Sequence, residues 1–136
     1  MSPKGNHTMP RVLVIDDQPG VRATISLVLQ AEGFEVMAVE SGQLGLNEFH
    51  KSYFDLVIVD IFMPEMDGVK LIKALRARIP TQPIMAISGV QLRASGRTAL
   101  DLFAMAPELS SITCLQKPFR PRELLQAVLK ALAVAA

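Results

Sequence analysis

The amino-acid sequence predicts an α/β fold, a doubly wound five-stranded parallel sheet with helices on both faces. Two observations predict it. Short apolar runs alternate with longer stretches of helical spacing, and three of the runs are nearly unbroken in apolar residues. Unbroken runs of this length suit strands whose two faces are both covered, as in a parallel sheet. Alternation of β and α implies right-handed crossovers that place helices on either side.

The strand candidates are residues 12–15, 34–39, 56–59, 84–87 and 112–115. The second is interrupted by Glu35, which marks it as an edge strand. Residues 19–32 carry Val21, Ile25, Val28 and Leu29 at helical spacing, and Gly33 stands where a C-terminal cap belongs. Ser41 can cap a helix that runs to about residue 51. Residues 67–78 carry Val69, Leu71, Ile72 and Leu75, with Pro80 closing the segment. Thr98 and Asp101 form a pair like a capping box, and Pro107 stops that helix early. Pro121 suits the first turn of a last helix ending near Ala133.

The 136 residues make one ordinary domain, and half of them are apolar. Residues 1–9 read as a flexible lead and residues 10–136 as the folded domain. The 14 basic and 13 acidic side chains leave a net charge of +1, which gives no general grip on nucleic acid. Cys114 is the only cysteine, so neither an internal disulfide nor a cysteine metal cluster can form. That usage fits a cytoplasmic protein. No stretch approaches the roughly 20 apolar residues of a membrane helix, and the polar start lacks a signal-peptide core.

Sites in such folds gather at the carboxyl ends of the strands. The first run ends in Asp16 and Asp17, the third in Asp60, the fourth in Ser88, and the fifth in Gln116, Lys117 and Pro118. A parallel sheet therefore brings three carboxylates, a hydroxyl and an ammonium to one edge. Two bare charges about 4 Å apart repel by roughly 4 kcal/mol at an effective dielectric near 20. A divalent cation relieves this, and hard oxygen ligands suit Mg²⁺, which commonly takes one or two carboxylates plus phosphate oxygens. Lys117 adds a flexible point charge for a phosphate oxygen or for Asp60. A carboxylate flanked by a cation and a lysine can act as a phosphoryl acceptor. Taken singly, Asp60 reads equally as a cap, and the Asp16-Asp17 pair, Ser88 and Lys117 read more readily as a cap, a turn or a solvated surface group. Their placement at one end of successive strands is the specific signal.

These residues resemble the receiver domains of bacterial response regulators. The resemblance rests on Val12 to Asp17, on Asp60-Ile61-Phe62-Met63-Pro64-Glu65-Met66-Asp67-Gly68, on Ile87-Ser88-Gly89, and on Lys117-Pro118-Phe119. It runs from about Arg11 to Ala133. It implies a chemotaxis-regulator-like fold with the flavodoxin-like strand order 2-1-3-4-5. It implies Asp60 as phosphoacceptor, assisted by Lys117 and Ser88. It implies Mg²⁺, or Mn²⁺, held by Asp17, by Asp16 through water, by Asp60 and by the backbone carbonyl of Phe62. A cis Lys117–Pro118 peptide is expected. The donor would be a phosphohistidine on a sensor histidine kinase or a histidine phosphotransfer protein. The role is a switch in a two-component or phosphorelay system, not a metabolic enzyme, and the chain is either free-standing or excised from a larger regulator.

The sequence departs from the family in two places. Cys114 stands three residues before Lys117, where the family usually has an aromatic; a small buried hydrophobe is the expected reading. The stretch from Ser88 to Lys117 is several residues longer than usual, with Arg93 and Arg97 in an expected extended loop. The last helix carries two stripes, Leu124, Val128 and Leu132, and Leu125, Leu129 and Ala133. One packs on the sheet, and the other could serve a homodimer or partner. His7 and His50 read as surface residues.

Two alternatives compete with the switch. One is a receiver-like interaction module that signals without phosphate. The other is a metal-dependent phosphohydrolase, which usually carries a second acid two residues after its nucleophile. Phe62 occupies that place. No Gly-rich nucleotide loop follows the first strand.

Overall fold

The computed structural model describes residues 9–63, 66–89 and 112–135. Elements are numbered in chain order among these residues. They are β1 (Arg11–Ile15), α1 (Pro19–Ala31), β2 (Glu35–Val39), α2 (Gly42–Lys51), β3 (Leu56–Asp60), β4 (Phe62–Met63), β5 (Met66–Asp67), α3 (Gly68–Arg78), β6 (Ile84–Ser88), β7 (Thr113–Gln116) and α4 (Pro121–Ala135). The main sheet has the order β2-β1-β3-β6-β7, and all its pairings are parallel. With the short β4–β5 hairpin set aside, this is the expected 2-1-3-4-5.

Period-two alternation sorts the strand side chains into two cores. Leu13, Ile15, Val57, Val59, Ile84 and Ala86 face Phe49 of α2 and Leu71, Ile72 and Leu75 of α3. Val12, Val14, Leu56, Ile58, Met85 and Ile87 face Ile25 and Leu29 of α1 and Leu124, Val128 and Ala131 of α4. β3 and β6 are buried along their whole length, whereas β2 and β7 alternate with exposed positions. That contrast is what central and edge strands must show, and it matches the uninterrupted and interrupted runs of the sequence.

The helix ends follow local chemistry. Gly33 takes φ +89°, a left-handed conformation that stops α1 without strain. Ser41 Oγ accepts from the Leu44 N–H at 3.1 Å, and Asp67 Oδ1 accepts from the Val69 N–H at 2.9 Å. Pro121 opens α4 as expected. β2 begins one residue later than expected because Phe34 turns into the core instead of extending the ladder. β7 runs from Thr113 to Gln116, one residue later than the apolar pattern suggested, and Ile112 is buried ahead of it. The β4–β5 hairpin, pairing Phe62 with Asp67 and Met63 with Met66, was not legible as strand. The helix expected after Thr98 and the loop with Arg93 and Arg97 lie outside the described residues, as does His7.

Candidate functional site

Register alone brings the first two acids together. Ile15 lies opposite Val59 in the β1–β3 ladder, so Asp16 and Asp60 are the next pair on adjacent strands. Both fall on the same face by period two. Asp16 and Asp60 are buried, while Asp17 is exposed at the rim. One carboxylate oxygen from each of Asp16, Asp17 and Asp60 lies within 4.8 Å of the others.

Lys117 follows β7, two strands away from β3. At roughly 4.8 Å per strand spacing, only a long side chain crosses the end of β6. It does so here. Lys117 Nζ donates to Asp60 Oδ2 at 3.1 Å and lies 3.0 Å from Asp16 Oδ2. The second contact is an ion pair, and Asp16 Oδ2 is buried with no hydrogen bond besides it. Lys117 N–H donates to the Ser88 carbonyl at 2.7 Å, which fixes the base of this arm. The Lys117–Pro118 peptide is cis, as expected.

The remaining carboxylate oxygens are aimed by the chain turning at the strand ends. Asp60 Oδ1 accepts from the Phe62 N–H at 2.9 Å, and Asp16 Oδ1 accepts from the Gln18 N–H at 2.8 Å. Desolvation pushes the Asp60 carboxyl above its ordinary pKa. The Phe62 N–H opposes this, the Asp16 charge adds to it, and Lys117 opposes it again. With three carboxylates and one ammonium, the cluster carries a formal charge of −2 when all are ionised. Buried carboxylate oxygens that share one ammonium, with excess negative charge on hard oxygen ligands, fit a divalent cation.

The structure thus gathers Asp16, Asp17, Asp60 and Lys117. Ser88 ends β6 and is buried, one residue beyond Ile87, which pairs with Asp60. Its hydroxyl shares a hydrogen bond with the Cys114 thiol. Cys114 is exposed as a residue, which corrects the expectation of a buried small hydrophobe: at edge strand β7 it falls on the exposed phase of the alternation. Desolvation of its sulfur still raises the thiol pKa, opposed by the Ser88 hydrogen bond.

Two residues escaped the sequence reading. Gln18 Oε1 accepts from Lys117 Nζ at 2.9 Å, and Arg22 Nη1 donates to the Asp16 carbonyl at 2.8 Å. The one available signal for Gln18 was its position: it precedes Pro19 where a capping Ser, Thr, Asp or Asn would be usual, and it makes no side-chain cap. On α4, Leu124 and Val128 are buried and Leu125 and Leu132 pack partly against the core. Of the second stripe only Leu129 and Ala133 are exposed. His50 is exposed, as expected.

Comparison with known proteins agrees with this geometry. The sequence profile described as "Response regulator receiver domain" matches residues 12–129. The sensor protein GacS of Pseudomonas syringae pv. syringae is 36% identical over 127 residues, covering 89% of this chain and 13% of that protein. The CpxR homolog of Haemophilus influenzae, a transcriptional regulatory protein, is 32% identical over 120 residues, covering 88% of this chain and 49% of that protein. The chain therefore spans less than half the length of these curated relatives. Among solved structures, the chemotaxis protein CheY4 of Vibrio cholerae superposes with a TM-score of 0.80 at 28% identity, covering 91% of this chain and 99% of that one. Among the described residues no helix is long and apolar enough to cross a membrane. An acid cluster at the carboxyl edge of a parallel sheet, reached by a lysine from its last strand, here coincides with a profile match over most of the sequence: the chain belongs to the response regulator receiver domain family of two-component systems.

Proposed function

We propose that residues 10–136 form a receiver domain whose Asp60 accepts a phosphoryl group from a phosphohistidine on a sensor histidine kinase or a phosphotransfer protein. The observation that carries this reading is the doubly held Asp60 carboxylate, with Oδ1 on the Phe62 N–H and Oδ2 on Lys117 Nζ. Phosphoryl transfer needs mainly alignment and charge neutralisation, and a carboxylate fixed at both oxygens is already aligned. An Asp60 oxygen attacks phosphorus, the bond from phosphorus to the donor breaks, and the donor leaves with the electron pair. Lys117 stays beside the new acyl phosphate as a counter-charge, and Ser88 donates to a phosphoryl oxygen.

Asp17, Asp60, the Phe62 carbonyl and, through water, Asp16 would hold Mg²⁺ or Mn²⁺. When bound, the cation would neutralise charge on the phosphoryl oxygens. The −2 balance of the cluster, in which Asp16 and Asp60 share the single Lys117 ammonium, supports that assignment. The product is a population shift toward a state that a partner reads. Pairing of two copies through α4 is a further proposal, supported by the exposed Leu129. A phosphohydrolase is disfavoured, because Phe62 gives its N–H to Asp60 and supplies no second acid.

The test is mass spectrometry after incubation with a small acyl-phosphate donor and Mg²⁺. The wild type should gain one phosphoryl group, and both Asp60→Ala and added chelator should abolish the gain. Failure of the wild type, or equal gain by Asp60→Ala, would overturn the assignment. Partner binding unaltered by Asp60→Ala would favour the interaction module that signals without phosphate.

A further inference from the structure

We infer that Gln18 is a positioning residue for Lys117, a side-chain tether that holds the ammonium over the acceptor carboxylate before any donor arrives. This rests on the reading of Asp60 as phosphoacceptor. Gln18 joins three parts of the site. Its N–H donates to Asp16 Oδ1 at 2.8 Å, its Oε1 accepts from Lys117 Nζ at 2.9 Å, and its carbonyl accepts from the Arg22 N–H in the first turn of α1. It occupies the N-cap of α1, yet it makes no side-chain cap and sends its amide to a residue 99 positions away. A Gln at an N-cap forgoes a local hydrogen bond that Ser or Asp would make. What it gains is reach.

The geometry of Lys117 makes such a tether useful. Its arm must cross the end of β6, and a lysine loses much rotamer freedom when it is held. Of the three N–H bonds on Nζ, one is used by Asp60 and one by Gln18, while Asp16 Oδ2 is met only as an ion pair. Gln18 is neutral, so it holds the ammonium without adding negative charge to a cluster that must admit an anionic phosphoryl group. A glutamate in its place would hold Lys117 as well but would repel the donor. The tether also joins the β1–α1 turn to the segment after β7, so it links the two ends of the sheet edge across the acceptor.

The experiment has two arms on the full chain. The first is NMR of the unphosphorylated protein, reading the two Lys117 ε-methylene protons. They should have distinct shifts in the wild type and in Gln18→Glu, and should converge in Gln18→Ala. The second is single-turnover phosphorylation by a small acyl-phosphate donor with Mg²⁺. Gln18→Ala should be slower by about three- to tenfold at saturating donor, the scale of one lost positioning hydrogen bond. In the Lys117→Ala background, Gln18→Ala should have no further effect, because the tether would have nothing to hold. Gln18→Glu should instead need a higher donor concentration for half-saturation. Unchanged ε-methylene shifts in Gln18→Ala would overturn the tether, as would equal slowing of Gln18→Ala with and without Lys117. Absence of phosphorylation in the wild type would count against Asp60 as acceptor, while the NMR arm would still decide the tether.

Discussion

Gly68 lies against the backbone of Ile61: a Cβ on it would stand 2.3 Å from Ile61 Cα and 2.8 Å from the Ile61 carbonyl carbon and oxygen. This contact seats the first residue of α3 beside the turn that follows Asp60. Backbone cannot move aside as a side-chain tip can, so Gly68→Ala should push α3 off the strand end and cost about 1–3 kcal/mol. It should also loosen the Phe62 N–H that aims Asp60 Oδ1. Gly20 is the control, because nothing lies within 4 Å of a Cβ there. In the first turn of α1, Gly20→Ala should be neutral or stabilising by about 0.5 kcal/mol. Urea midpoints of the two variants decide it, and equal midpoints would refute the contact.

Asp60 gives the fold a pH dependence of known sign. Burial raises its pKa above the ordinary 3.8, so the folded chain binds this proton more tightly than the unfolded chain. The acid favours folding fully below the unfolded value, and that contribution is lost as pH rises through the folded value. At neutral pH the ionised carboxylate is therefore a burden on the metal-free fold. Asp60→Asn should be the more stable protein at pH 7, read as a higher Tm. The advantage should fade on acidification and vanish below about pH 4. Calorimetry of metal-free protein across that range reads it directly. An Asn variant less stable at pH 7 would show that the Phe62 N–H and Lys117 together outweigh desolvation and the Asp16 charge.

A second clamp sits at the opposite end of the sheet. Asp55 is buried and accepts from the Arg11 N–H at 2.7 Å, while Arg11 Nη1 donates to the Tyr53 carbonyl at 3.0 Å. The guanidinium also pairs with Glu35 and lies 4.9 Å from the Phe54 ring centroid. Burial raises the Tyr53 pKa, with the charge of Asp55 and a hydrogen bond to it adding to the shift. Asp55→Ala should leave the Arg11 N–H unpaired and cost about 1–3 kcal/mol. It should also lower the Tyr53 pKa toward 10.0. Tyr53 is the only tyrosine and there is no tryptophan, so phenolate absorbance follows this one group. An unmoved titration curve would rule out the Asp55 contact.

The sequence by itself determined the layered sheet, its central and edge strands, most helix ends, and the acids and lysine that meet at one rim. These were legible because they depend on local rules. Side-chain period sets which residues face a core, caps are chosen within a few positions, and parallel strands put their carboxyl ends together. Only the tertiary structure decided that Gln18 reaches Lys117, that Asp16 Oδ2 is buried against the Lys117 ammonium, that Asp55 receives the start of β1, and that Cys114 faces outward on β7. The β4–β5 hairpin belongs with these, since a two-residue ladder leaves no periodic pattern. Such contacts join residues tens of positions apart, and their partners are set by register and side-chain reach, which a linear pattern does not encode.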